Sequence, residues 1–218
     1  MTISEFAGKS LAGRYGDVIE EIDWNVGRLI AALRELDLDR NTLVVFTTDH
    51  GELLGNHGLY LKGPTPYEDL LRVGLIAKGP GVTPGQVVAE PVSTLDLAAT
   101  FYDCAGVAAP QIGQGRSLHG FLSGRPDTRD VAYGEWYVHP SRSGVALKLR
   151  IVRTKTHKCT FELASGAGEL YDLVNDPGEM DNRYDDPAYA SVRKELEGMM
   201  WARPGPVLKH LPEPVGMA

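Results

Sequence analysis

Between Leu43 and Lys62 the sequence reads LVVFTTDHGELLGNHGLYLK, a short apolar run that passes directly into an acid, an imidazole, two glycine-rich turns and a lysine. Leu43, Val44, Val45 and Phe46 are β-branched, aliphatic or aromatic without a polar interruption, the pattern of a central parallel strand covered on both faces. Asp49 and His50 fall just beyond its carboxyl end. In open α/β sheets that is where ligands bind, because the loops leaving the strand tips line the crevice.

The flanking sequence supports an α/β class. From Tyr15 to Leu36 the residues Val18, Ile19, Ile22, Val26, Leu29, Ile30 and Leu33 recur at three- and four-residue steps, which predicts an amphipathic helix that packs on the sheet. A polar connector, Asp37 to Asn41, leads into the strand at Thr42 to Phe46, and a second strand is expected at Val73 to Ala77 before the turn at Lys78 to Gly81. Ser93 offers an N-cap, with Asp96 as an acidic variant of the capping box, for a helix through Ala105. Gly106 to Asp130 is rich in glycine, proline and polar residues and reads as a loop-rich boundary. Beyond it Val131 to Tyr137, Gly144 to Arg153, Lys158 to Leu163 and Gly168 to Leu173 predict short strands of a small antiparallel sheet, closed by a helix at Ala188 to Trp201. The proline-bearing tail after Arg203 is expected to be irregular. Two parts are therefore expected: residues 1–125 as part of an α/β core, and residues 126–218 as a small α+β subdomain.

At 218 residues and 43% hydrophobic content the chain is long and apolar enough to bury a real core. A formal net charge of -7 with scattered Lys and Arg argues against a nucleic-acid surface. Cys104 and Cys159 are too few and too differently placed for a disulfide framework or a zinc knuckle. No apolar run reaches the roughly 18 residues of a membrane span, and the amino-terminal residues lack the apolar core of a secretory signal. A soluble, cytoplasmic location is the default expectation.

Asp49 and His50 are adjacent, so both converge on one divalent cation only if the backbone turns sharply, as a strand end followed by Gly51 permits. Two ligands complete neither a calcium shell of six to eight oxygens nor a zinc tetrahedron. The competing reading has Asp49 capping a turn and His50 hydrogen-bonded in the core. His57, between Asn56 and Gly58, either contacts a substrate or ties down its own turn, and the structural role is favoured. Lys62, ahead of Gly63 and Pro64, sits in a constrained turn. Near a metal its ammonium would hold one oxygen of a tetrahedral oxyanion as a point charge. No G-x-S-x-G elbow, phosphate-binding G-x-x-x-x-G-K-[ST] loop or C-x-x-C is present, so no nucleophile is visible.

Taken in order, Thr48-Asp49-His50-Gly51, Gly55-Asn56-His57-Gly58 and Lys62-Gly63 resemble the carboxyl-terminal half of a type I sulfatase of the alkaline phosphatase-like superfamily. The likeness continues upstream through Tyr15, Ile22-Asp23 and Val26-Gly27, and downstream through Ser93-Thr94-Leu95-Asp96-Leu97. Leu170-Tyr171-Asp172-Leu173, Asp176-Pro177-Gly178-Glu179 and Asn182 are similar to the family's carboxyl-terminal signature. The resemblance implies part of an alkaline phosphatase-like doubly wound sheet followed by the small antiparallel sheet and its closing helix. It also implies a divalent metal, usually calcium, held partly by Asp49 and His50, with Lys62 touching the sulfate of a sulfate-ester substrate. Histidine at position 50, where the family often has Asn, is similar to phosphonate monoester hydrolases, which leaves phosphoryl esters and manganese open.

One departure is large. The family's nucleophile is a formylglycine made from Cys or Ser in a C-x-P-S-R motif, preceded by two metal-binding aspartates, and this sequence contains neither motif. Cys104 is followed by Ala105-Gly106-Val107 and Cys159 by Thr160-Phe161-Glu162. The chain is thus expected to supply metal ligands and a sulfate contact to a site it does not complete alone. A phosphonate or phosphodiester hydrolase fragment and a non-catalytic binding remnant are the alternatives. Either the missing amino-terminal half or a second copy of the chain is expected to cover its apolar faces.

Overall fold

A computed structural model describes residues 9–108, 114–140 and 144–203. Residues 1–8 of the amino-terminal stretch read above for a leader, and the tail after Arg203, lie outside the described residues. Compact packing divides the chain into two units, one formed by Met1–Gly63 with Asp69–Pro84 and the other by Pro64–Glu68 with Gly85–Ala218. The short Pro64–Glu68 stretch therefore belongs with the later sequence, although both of its flanks belong to the first unit.

The first unit opens with α1, Leu11–Glu35, which starts earlier than the apolar period alone predicts because Ser10 caps it. The Ser10 hydroxyl accepts from the amide of Gly13 at 3.1 Å, satisfying a donor that the first turn leaves without a helical partner. At the other end Asp37 turns left-handed, with φ 56°. Leu38 N–H then reaches Leu33 O at 2.8 Å and Asp37 N–H reaches Arg34 O at 3.1 Å, the two bonds of a Schellman stop with Asp in the place glycine usually takes. No residue of α1 is buried, and Val18, Ile19, Ile22 and Leu29 of its apolar stripe are exposed.

After a short 3-10 turn, β1 (Val44–Thr47) pairs antiparallel with β2 (Leu75–Lys78) in the register Val44↔Lys78 to Thr47↔Leu75. The run that reads as a central parallel strand has, among the described residues, this single antiparallel neighbour, and all four of its residues are half-buried. The apolar sequence fits a two-sided environment that these elements do not supply. Gly79 follows β2 at φ 148°, and a Cβ there would lie 2.5 Å from Thr42 O, so only glycine lets the two strand ends close. The four-residue helix α2 (Glu68–Leu71) lies between the strands in sequence.

The second unit is built on a four-stranded antiparallel meander, β3 (Ala132–Val138), β4 (Leu147–Arg153), β5 (His157–Glu162) and β6 (Gly168–Asp172), in sequence order. Strand pairing aligns Val152, Cys159 and Leu170 across one face. That face is sealed by α5 (Ala190–Ala202), whose Leu196 and Met200 join Val152, Cys159, Phe161 and Leu170 in the core. Period-2 alternation puts Arg153, Lys158 and Tyr171 on the opposite face.

On that opposite face the fully buried Lys158 pairs with the equally buried Glu179. Lys158 Nζ also donates to Pro66 O at 2.5 Å, and Glu179 Oε2 accepts the backbone N–H of Glu68 at 2.6 Å. Arg153 adds an ion pair to the Glu68 carboxylate at 3.1 Å. Burial pulls the Lys158 ammonium below its usual range and pushes the Glu179 carboxyl above its own, each countered in part by the other's charge.

The glycine-rich region after α3 (Leu95–Cys104) is better organised than its composition suggests. Asp96 carries out the capping-box role, accepting Ser93 N–H at 2.7 Å, and it also accepts the backbone N–H of Arg116 at 2.9 Å and pairs with Arg129. Its neighbour Thr100 accepts Leu118 N–H at 2.8 Å, just before the short α4 (His119–Leu122), which buries Phe121. Among the described residues, no helix is long and apolar enough to cross a membrane.

Candidate active site

β1 ends at Thr47, and Asp49 and His50 follow where the chain turns. His50 Nδ1 lies 2.7 Å from Gly51 O. A carbonyl only accepts, so Nδ1 carries the ring proton and the lone pair of a neutral imidazole is left on Nε2. Lys62 Nζ reaches that nitrogen at 2.9 Å, and an ammonium only donates, so Lys62 is the donor. The Asp49 carboxylate stands 3.6 Å from His50 Nε2 and is 86% exposed. It accepts the backbone N–H of His50 at 3.0 Å, the main cause that holds its carboxyl below the usual range, with the Lys62 charge adding to it. Asp49, His50 and Lys62 are thus gathered within one small patch of the first unit.

The path from His50 to Lys62 is a tight loop under backbone tension. Leu54, His57 and Leu61 all have positive φ, at 48°, 54° and 64°, three of the five non-glycine residues in that region among those described. Each costs on the order of 1–3 kcal/mol, so the surrounding structure must impose it. Gly51 N–H donates to Leu70 O at 2.9 Å, Leu53 N–H to Leu61 O at 3.2 Å, and Gly55 N–H to Leu59 O at 2.8 Å. Leu53 and Leu70 are each 2% exposed and anchor the loop from below. The His57 imidazole is only 9% exposed, and its Nε2 faces Asp69 Oδ2 at 3.7 Å.

The donor set suits a hard or borderline divalent cation, with one exposed carboxylate and one imidazole lone pair turned toward the same space. It is incomplete: among the described residues no group of three or more His, Cys, Asp or Glu converges in a way that would hold a metal ion. Nothing in the sequence singles out Asp69 as a support of this patch, because it is thirteen residues from the Asn56 it binds and no local pattern connects the two.

This arrangement sits in a chain whose similarities are consistent. Residues 55–203 match the family model described as N-sulphoglucosamine sulphohydrolase, C-terminal. An uncharacterized sulfatase of Escherichia coli is 34% identical over 175 residues, covering 80% of this chain and 34% of the relative. A Delta 4,5-hexuronate-2-O-sulfatase of Bacteroides thetaiotaomicron is 32% identical over 182 residues, covering 80% of this chain and 37% of the relative. Among solved structures, one described as a 2-O GAG sulfatase superposes with a TM-score of 0.76 at 31% identity, over 83% of this chain and 40% of that one. A phosphonate monoester hydrolase from Silicibacter pomeroyi superposes with a TM-score of 0.75 at 31% identity, over 84% of this chain and 38% of that one. The fold is that of the alkaline phosphatase-like superfamily. Within it the chain belongs to the sulfatase family defined by the N-sulphoglucosamine sulphohydrolase carboxyl-terminal domain, and corresponds to a carboxyl-terminal part of a sulfatase. It spans well under half the length of these relatives.

Proposed function

We propose that this chain contributes one side of the active site of a sulfate-ester hydrolase. Asp49 and His50 are two of its metal ligands, and Lys62 is its contact to the sulfate group. The observation that carries this reading is the convergence of Lys62 Nζ on His50 Nε2 at 2.9 Å beside the Asp49 carboxylate, in a chain of sulfatase descent. A bound divalent cation, calcium or manganese, would supply Lewis-acid polarisation of a sulfate oxygen. Lys62 would place a full positive charge on a second oxygen, strongest where charge grows as the ester bond breaks. The Gly51 carbonyl takes the Nδ1 proton of His50, so Nε2 is the nitrogen that would hold the cation. The formylglycine nucleophile and the remaining ligands would come from a separate segment. The division into residues 1–125 and 126–218 belongs to the same proposal.

Phosphonate or phosphodiester substrates form the second reading. It is favoured by the imidazole at position 50 and by the phosphonate monoester hydrolase among the structural relatives. A polypeptide carrying this chain behind a C-x-P-S-R segment, assayed on an aryl sulfate and a phosphonate monoester, separates the two by its kcat/KM ratio. Lys62→Ala should lower kcat/KM by roughly 10²–10³-fold on the preferred ester. Turnover unchanged by Lys62→Ala would sink the assignment.

A further inference from the structure

The site above depends on a loop that doubles back within twelve residues, its limbs joined by Leu53 N–H to Leu61 O and Gly55 N–H to Leu59 O, and a residue outside the loop meets it at both ends. Asp69, at the start of the segment returning toward β2, meets the loop from the outside. Its Oδ1 accepts the side-chain amide of Asn56 at 2.7 Å, and its Oδ2 faces His57 Nε2 at 3.7 Å. Its backbone carbonyl fills the space where a side chain on residue 51 would be, since a Cβ on Gly51 would lie 1.8 Å from that oxygen. One residue therefore touches both the point where the loop departs, beside His50, and the apex where it reverses, at Asn56 and His57. The apex is also where His57 is held at positive φ, a conformation that needs an outside constraint.

We infer that Asp69 is the positioning residue that holds Lys62 against His50, with Asn56 and His57 as its two attachment points. His57, read from the sequence as a candidate substrate contact, is on this account a positioning residue as well, its ring buried against the Asp69 carboxylate. A carboxylate suits the task because its two oxygens can face two partners at once. The functional meaning of this placement rests on the reading of Lys62 as the sulfate contact, but the placement itself does not.

The test uses the whole chain with its histidines labelled with nitrogen-15. The Nε2 signal of His50 reports whether Lys62 donates to it, and Lys62→Met defines the signal of the broken contact. Asp69→Ala should carry the His50 signal most of the way to the Lys62→Met position while leaving the slow amide exchange of β1 and β2 unchanged. Asp69→Asn, which keeps an acceptor for Asn56 but loses the charge facing His57, should restore part of the original signal. Asn56→Ala and His57→Gln each remove one attachment and should give intermediate shifts, which keeps the question answerable if Asp69→Ala does not fold. A His50 signal at its original position in every folded variant would overturn the inference. Titration of the unaltered chain with inorganic sulfate tests the other reading separately. Absence of sulfate binding together with a shifted His50 signal in Asp69→Ala would reject the sulfate contact and keep the positioning role.

Discussion

Lys62 donates to the same lone pair of His50 that a metal ion would take, Nζ to Nε2 at 2.9 Å. The lysine and a cation therefore compete for one position. The unaltered chain should bind calcium or manganese weakly, with Kd on the order of 10⁻⁴–10⁻³ M, as expected of a site with few charged ligands. Lys62→Met removes a like charge from a partly solvated site and should tighten binding roughly tenfold, while Asp49→Ala should abolish it. Calorimetry decides. Submicromolar affinity surviving Asp49→Ala would place the ion elsewhere.

Gly51 and Gly27 make a matched pair of substitutions with opposite expected signs. A methyl on Gly51 collides with Asp69 O, so Gly51→Ala should cost about 1–3 kcal/mol in urea unfolding. A methyl on Gly27, within α1, meets nothing within 4 Å, so Gly27→Ala should stabilise the helix by about 0.5–1 kcal/mol. Equal effects would show that the approach of residue 69 to residue 51 is not maintained in solution.

The buried Lys158–Glu179 pair should respond asymmetrically to single and double changes. Lys158→Met leaves a carboxylate buried without its cation and should destabilise the second unit by about 3–5 kcal/mol. Combining it with Glu179→Gln should recover a substantial part of that loss, because no uncompensated charge remains. A single-variant cost under about 1 kcal/mol would mean the pair behaves as a solvated one.

Asp172 should mark the acid limb of stability. Its carboxylate accepts the side-chain amide of Asn175 at 2.7 Å and the backbone N–H groups of Val174 and Asn175, which lowers its pKa from 3.8 to about 2. The unfolded chain takes up this proton first as pH falls. The contribution is therefore full above 3.8 and is lost progressively toward about 2. Asp172→Asn should flatten the dependence of the urea midpoint on pH in that window and leave its slope above pH 5 alone.

The exposed stripe on α1, Val18, Ile19, Ile22 and Leu29, together with the two-stranded β1–β2 sheet, should drive pairing of two copies at micromolar concentration. Light scattering measures it, and Ile22→Glu with Leu29→Glu should return the chain to monomer. A monomeric unaltered chain would show that the stripe tolerates water.

Much of this architecture was legible because it is local. The three- and four-residue period of Val18 to Leu33 marks α1, alternating apolar runs mark the meander, and Ser93 with Asp96 marks the start of α3. Element ends moved by one to four residues where caps or ladder bonds decided them, as at Ser10. Asp49, His50 and Lys62 stood out because they share one short stretch. Asp69 did not, since it acts through a carbonyl and a carboxylate that look like any exposed helix acid, and within the second unit the burial of Lys158 had no sequence signature, a lysine inside a strand being ordinarily solvated. Nor does the apolar run at Leu43 to Phe46 disclose how many strands flank it.

The stitching of Pro66 to Lys158 and of Glu68 to Glu179, across 92 and 111 residues, also fixes an order of events as the chain folds. Each hairpin of the β3 to β6 meander joins sequence neighbours and closes cheaply, whereas these bonds need the whole intervening chain in place first. During synthesis, at about 5–20 residues per second, the peptide just after Lys62 leaves the ribosome several seconds before its partners exist. The Pro64–Glu68 peptide is therefore exposed early, and it is fastened only when the turn carrying Glu179 has emerged and the sheet bearing Lys158 has formed.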